Sequence, residues 1–146
     1  MQVDFYHLTG APVERVLPRL AERVLETGGR LLVVSADTEL LDRLDSHFWS
    51  YRPESFLPHG KAGADGAEAQ PILLSPDFAA VNGARNVALA DGVWDDAALT
   101  FDRAFLLFGW ERIEEARAVW RALKDREELE RRFWKQDEEG RWTREA

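Results

Sequence analysis

"GGRLLVVSADTELLDRLDSHFW", residues 28–49, decides the fold. Within it "RLLVVSA" at 30–36 is nearly continuous in apolar residues, as a strand covered on both faces is. Asp37 then stands at an N-cap position, and Leu40, Leu41, Leu44 and Phe48 recur at the spacing of one helical face. The two glycines that precede the strand end an earlier helix, whose apolar positions are Val13, Val16, Leu17, Leu20, Val24 and Leu25 and whose first turn suits Pro12. A β-rich run, "VDFYHL" at 3–8, comes before that helix. The order strand, helix, strand, helix with short connections predicts an α/β fold: a mostly parallel sheet layered with helices. Pro18 removes a hydrogen bond from any continuous helix, so the regular part is expected to start later than Pro12.

Three further strands are predicted at "QPILLS" (70–75), "NVALA" (86–90) and "AFLLF" (104–108), with "DG" at 91–92 marking a turn. The small, glycine-rich segment 60–69 reads as a mobile surface loop. From Glu111 to about Gln136 the pattern reads as helical, "EEG" at 138–140 ends it, and 137–146 is expected as a flexible tail. No internal repeat is present. With 146 residues, 45% of them hydrophobic, the chain is expected to form a single domain over residues 1–146.

Composition removes several function classes. The chain has no cysteine, which excludes disulfide scaffolds, thiol nucleophiles and cysteine-based metal sites. No apolar run reaches membrane-spanning length, and "MQVDFYHLTG" lacks the charged and apolar regions of a signal peptide, so no membrane association and a cytoplasmic location are expected. The net charge of −8 disfavours wrapping a nucleic-acid backbone, because phosphate binding needs a basic footprint, and no direct binding of duplex DNA is expected. The charge is uneven: residues 111–146 carry 10 basic and 11 acidic side chains, and the preceding 110 carry the other 9 and 16.

An α/β sheet invites a search for a nucleotide site after the first strand. That loop reads "HLTGAPVE", with one glycine where a dinucleotide fingerprint needs three, and "GK" at 60–61 continues into Ala62 instead of Ser or Thr. His7, His47 and His59 have no neighbour at metal-ligand spacing, and Ser35, Ser55 and Ser75 lack a nucleophile context. Adjacent carboxylates such as Asp95–Asp96 or Glu114–Glu115 point in different directions. No catalytic residue, metal or cofactor is expected.

Two features read as contact surface. "WSYRPESFLPHG" at 49–60 packs Trp49, Tyr51 and Phe56 between prolines in a stretch with no regular helix or strand pattern. Such rings either cap the core or serve as interface anchors, and prolines lower the cost of ordering them for a partner. On the C-terminal helix, Ile113, Ala116, Val119, Trp120 and Leu123 span one arc, and Arg117, Arg121 and Lys124 form the next, with Trp120 at the seam. No acid is expected on the basic arc. That suits an acidic peptide with a hydrophobic end.

Taken in order, "FYHL", "RLLVV", "LDSHFWSYRPESFLPHG", "QPILL" and "ARAVWRALK" resemble the chi subunit of bacterial DNA polymerase III, over essentially the whole chain. The resemblance implies a Rossmann-like, nucleotide-binding-like fold that has lost its nucleotide site, and a non-enzymatic adaptor in DNA replication. It implies one surface for the acidic, phenylalanine-terminated tail of single-stranded-DNA-binding protein, which by motif falls on Arg117, Trp120, Arg121 and Lys124. Family members often carry a tyrosine and a lysine where this chain has Trp120 and Arg121, and both changes keep aromatic and cationic character. A second surface, for the psi subunit of the clamp loader or a repair helicase, falls on Trp49, Phe56 and Pro58. After Lys124 the chain is longer and more charged than the family pattern.

Two rival readings stand beside the adaptor. One is a small α/β enzyme handling nucleotides or phosphates, whose required loops are absent. The other is direct single-strand binding by stacking on Trp49, Phe56 and the C-terminal tryptophans, which the acidic body opposes.

Overall fold

The computed structural model describes residues 1–51, 57–137 and 139–146. Among them lie strands β1 (Gln2–His7), β2 (Leu31–Val34), β3 (His59–Lys61), β4 (Ile72–Ser75), β5 (Asn86–Leu89), β6 (Arg103–Phe108), β7 (Glu130–Gln136) and β8 (Trp142–Arg144), with helices α1 (Val13–Glu26), α2 (Thr38–Ser50) and α3 (Ile113–Ala122). The strands form one sheet in the order β3-β4-β2-β5-β6-β1-β7-β8. All pair in parallel except β8, which runs antiparallel to β7. The predicted α/β class and mostly parallel sheet are therefore found.

Alternation along the strands divides the core into two layers. Tyr6, Val33, Leu74, Ala88 and Phe105 meet the apolar faces of α1 and α2. Val3, Phe5, Leu32, Leu73, Val87 and Leu106 meet α3 and the short helical turn that carries Ala98. The Asp37 carboxylate accepts from the backbone N–H groups of Glu39 and Leu40 at 3.0 and 3.2 Å, as an N-cap should. All four predicted core residues of α2 are buried. Helix α1 starts at Val13 and runs unbroken through Pro18, with Pro12 as N-cap instead of a first-turn residue. The helix bears the missing hydrogen bond because Pro18 is buried in its apolar face.

The largest correction is at the C-terminus. The helix expected over 111–136 stops at Ala122, and 130–136 is the strand β7. "ERRFWKQ" is rich in helix formers, but its period is two: Arg131, Phe133 and Lys135 share one face and Arg132, Trp134 and Gln136 the other. Phe133 and Trp134 thus enter opposite core layers. Parallel pairing with β1, Phe5 beside Phe133 and Tyr6 beside Trp134, overrides local propensity. The segment expected as a tail folds back as β8, pairing Trp142 with Gln136. Likewise, 49–60 is not wholly irregular: Trp49 and Ser50 close α2, while His59 and Gly60 belong to β3, and Ala67–Ala69 forms a short helical turn inside the expected loop.

Asp4 in β1 is wholly buried. Its carboxylate accepts from Arg103 Nε at 2.8 Å, Gln2 Nε2 at 2.9 Å and Trp134 Nε1 at 3.2 Å, tying β1 to both of its neighbours. Burial, and then the Asp4 charge, push the phenol of Tyr6 up to about 12. Asp4→Ala is expected to lower the unfolding free energy by about 2–3 kcal/mol in chemical denaturation. That is under the roughly 3–5 kcal/mol of a fully buried pair that loses one partner, because the Arg103 side chain stays 40% exposed. Asp4→Asn, which keeps an acceptor for Trp134, is expected to lose less.

Candidate functional site

Helix α3 lies over the outer strands on the face that holds Phe5. Ala116 and Leu123 are buried, Ile113 and Val119 are half-buried, and Arg117, Arg121 and Lys124 are exposed. The basic arc is not free of acid: Glu114 pairs with Arg117 at 3.1 Å, one helical turn away. Arg121 and Lys124 have no side-chain hydrogen bond or ion pair among the described residues. Half-buried Trp120 sets its edge against Phe5 (5.3 Å, 77°) and Phe133 (5.7 Å, 81°). The Arg131 guanidinium lies over the Trp120 ring at 4.1 Å and donates to the Trp120 carbonyl. The ring is held rigid between an aromatic floor and a cation.

Strand β7 therefore adds cations that the helical reading missed. Arg131 and Lys135 share the Phe133 face and stand level with Val3 and His7 of β1. The alternation in "ERRFWKQ" was the signal that would have found them. His7 is buried, stacked on Phe108 at 5.2 Å and edge-on to Trp110 at 4.3 Å, and its Nε2 has no hydrogen-bond partner among the described residues. Trp110 is 55% exposed, with Lys135 Nζ 5.4 Å from its ring. The result is a surface along α3 and β7 that sets exposed cations beside partly buried aromatic rings, suited to a chain that carries carboxylates and ends in an apolar ring.

The second aromatic surface is at the far edge of the sheet. Trp49, in the last turn of α2, is 63% exposed, which removes the reading of this ring as core. Its ring meets that of His59 in an edge-type contact at 4.7 Å and 61°. His59 is itself buried, donates from Nδ1 to the Leu57 carbonyl at 2.8 Å and places Nε2 3.0 Å from the Asp45 carboxylate. Pro58 is half-buried beside it, and Phe56 lies outside the described residues. Six strand steps separate β3 from β7, about 29 Å at the usual strand spacing.

At the carboxyl ends of β1, β2, β5 and β6, where open α/β sheets bind ligands, lies a cleft of about 830 Å³. Glu14, Asp37, Asp91 and Glu111 line it against Arg43 and Arg112, so its balance repels phosphate. Among the described residues no group of three or more metal-ligating side chains occurs, and no helix is long and apolar enough to cross a membrane.

The family model described as "DNA polymerase III chi subunit, HolC" matches residues 1–137. A relative from Pseudomonas aeruginosa, "DNA polymerase III subunit chi", is 41% identical over 76 residues, covering 50% of this chain and 52% of that one. One from Rickettsia prowazekii, "Probable DNA polymerase III subunit chi", is 23% identical over 83 residues, covering 57% and 50%. The chain spans about half the length of these curated relatives.

Burial, then the charges of Lys135 and Arg117, hold the His7 imidazole below its ordinary value of 6.5. Folded His7 stays neutral where the unfolded chain already takes a proton, so its share of stability is full above pH 6.5 and is lost as pH falls below it. Lys135→Gln is expected to raise the His7 titration midpoint and flatten this acid loss. Ring-proton magnetic resonance across pH, paired with denaturation, checks both.

Proposed function

The chain belongs to the DNA polymerase III chi subunit family, and on that premise we propose that it is a non-catalytic adaptor of the replication machinery. One end receives the acidic, phenylalanine-terminated tail of single-stranded-DNA-binding protein. The other receives a psi-type clamp-loader subunit or a helicase. The observation that carries this reading is the pair of unlike aromatic surfaces at opposite ends of one sheet. The α3–β7 surface carries Arg117, Arg121, Lys124 and Arg131 around Trp120, whereas the Trp49 corner offers an exposed ring beside a buried histidine. An acidic tail fits the first by charge, and a partner with an apolar pocket fits the second.

In the proposed tail site the free guanidinium of Arg121 meets a carboxylate, Lys124 extends the positive field, and Trp120 borders the pocket for the terminal ring. Arg117 joins by exchanging Glu114 for a ligand carboxylate. Proline at position 58 stiffens the approach to the Trp49 corner, where Phe56 is proposed to add a second ring.

Calorimetric titration with an acidic, Phe-terminated peptide tests the first site. Arg121→Glu is expected to weaken binding by about 1–2 kcal/mol, the lower part of the range for a charge-assisted contact because the position is exposed. Deleting the terminal phenylalanine is expected to cost at least as much. Trp49→Ala is expected to leave that titration unchanged while weakening a psi-type or helicase partner by more than about 2 kcal/mol. Peptide binding that survives Arg121→Glu, or that ignores the terminal ring, removes the tail assignment.

A further inference from the structure

On the opposite face of β1 and β7 a second cleft, of about 480 Å³, opens between α1 and the β7–β8 hairpin. Its volume falls within the range of small-ligand pockets. Tyr6, Trp134 and Trp142 wall it: Tyr6 stacks near Trp134 at 6.4 Å and 12°, and meets Trp142 edge-on at 5.0 Å and 83°. Arg15, Arg19 and Arg23 border it along α1. They are four residues apart, so successive guanidiniums project from points about 6 Å apart along the helix axis. All three are exposed, and none has a side-chain hydrogen bond or ion pair among the described residues. Three unpartnered arginines in a row, beside three rings, are unusual for a chain of net charge −8. Trp142 comes from the C-terminal stretch where the sequence leaves the family pattern, and the tail-binding reading uses none of these six residues.

We propose that this cleft binds a short single strand of nucleic acid, its phosphates along the α1 arginines and one unstacked base against the tryptophans. The cleft is polarised across its width. Arg141 on the far rim is held by Asp137 at 3.2 Å and Glu139 at 2.6 Å, so that side repels phosphate and the backbone must follow α1. An acidic peptide fits less well. An extended peptide is gripped through main-chain hydrogen bonds, yet two polar side chains of the lining are already engaged: Trp134 Nε1 donates to Asp4, and the Gln136 amide oxygen accepts from the Gly10 N–H. Ring faces and guanidiniums remain, which are the two elements of sequence-independent single-strand binding. A base held in a duplex cannot enter the recess. This site is independent of the proposed tail-binding surface, which lies on the other face of the sheet.

Fluorescence anisotropy with an end-labelled oligothymidylate of about 12 nucleotides, within the range of known single-strand sites, tests the proposal. The folded wild-type chain is expected to bind weakly, with log K falling against log salt at a slope of about −2 for three phosphates. Arg19→Glu with Arg23→Glu, at exposed positions that leave the core intact, is expected to weaken binding at least about tenfold and to reduce that slope to below about −1 in magnitude. Trp142→Ala should weaken it at every salt concentration, and Trp142→Phe, which keeps a ring for the hairpin, should restore most of the loss. Equal affinity for a duplex of the same length, or a double arginine variant that binds like wild type, overturns the proposal. So does a double variant that loses an acidic, Phe-terminated peptide but keeps the oligonucleotide, which would make the cleft a peptide site.

Discussion

The parallel pairing of β1 with β7 is the constraint on which the rest of the C-terminal half depends. It places Phe5 beside Phe133 and Tyr6 beside Trp134, one pair on each face of the sheet. On one face Phe5 and Phe133 form the floor that holds Trp120, and with it α3. On the other, Tyr6 and Trp134 line the cleft under α1. A slip of one residue would exchange the faces and dissolve both. Asp4 fixes the register by accepting from Arg103 on one neighbouring strand and Trp134 on the other, so a single buried carboxylate joins the two halves of the sheet.

That arrangement puts charge where an acidic molecule otherwise lacks it. The carboxylates gather in the crevice at the strand ends, where Glu14, Asp37, Asp91 and Glu111 occupy the place that binds ligands in related architectures. Among the described residues, unpartnered cations include Arg121 in the last turn of α3, Lys124 just past it, and Arg15, Arg19 and Arg23 along α1. The proposed adaptor role would benefit from this separation, because exposed cations on a helix attract an anionic chain without the desolvation cost of burying charge. The Trp49 corner, an exposed ring beside the buried His59, is the surface proposed for a different partner.

The first half of the fold was legible because local and tertiary preferences agree there. The continuous apolar run of β2, the Asp37 cap and the Leu40–Leu41–Leu44–Phe48 face each specify one structure. Past Lys124 they conflict. Glu, Arg, Lys and Gln favour a helix in isolation, and only the place beside β1, supplied by residues more than a hundred positions earlier, makes 130–136 a strand. The candidate site split in the same way. Arg117, Trp120, Arg121 and Lys124 were readable from helical spacing, whereas Arg131 and Lys135 enter through β7 and were lost with it, and the Glu114 contact to Arg117 depends on rotamers that spacing does not fix. Trp49 was singled out as contact surface, and it is exposed, but it was assigned to a loop, since nothing local shows that α2 reaches Ser50.

The central claim, that the α3–β7 surface and the Trp49 corner are the separate binding ends proposed for one sheet, is tested most directly by amide hydrogen exchange. The folded chain is followed with and without a saturating acidic, Phe-terminated peptide. The account predicts slowed exchange in residues 113–124 and 130–136, with 38–51 and 59–61 unchanged. Protection concentrated at 38–51 and 59–61, or none in α3 and β7 at saturation, would contradict it.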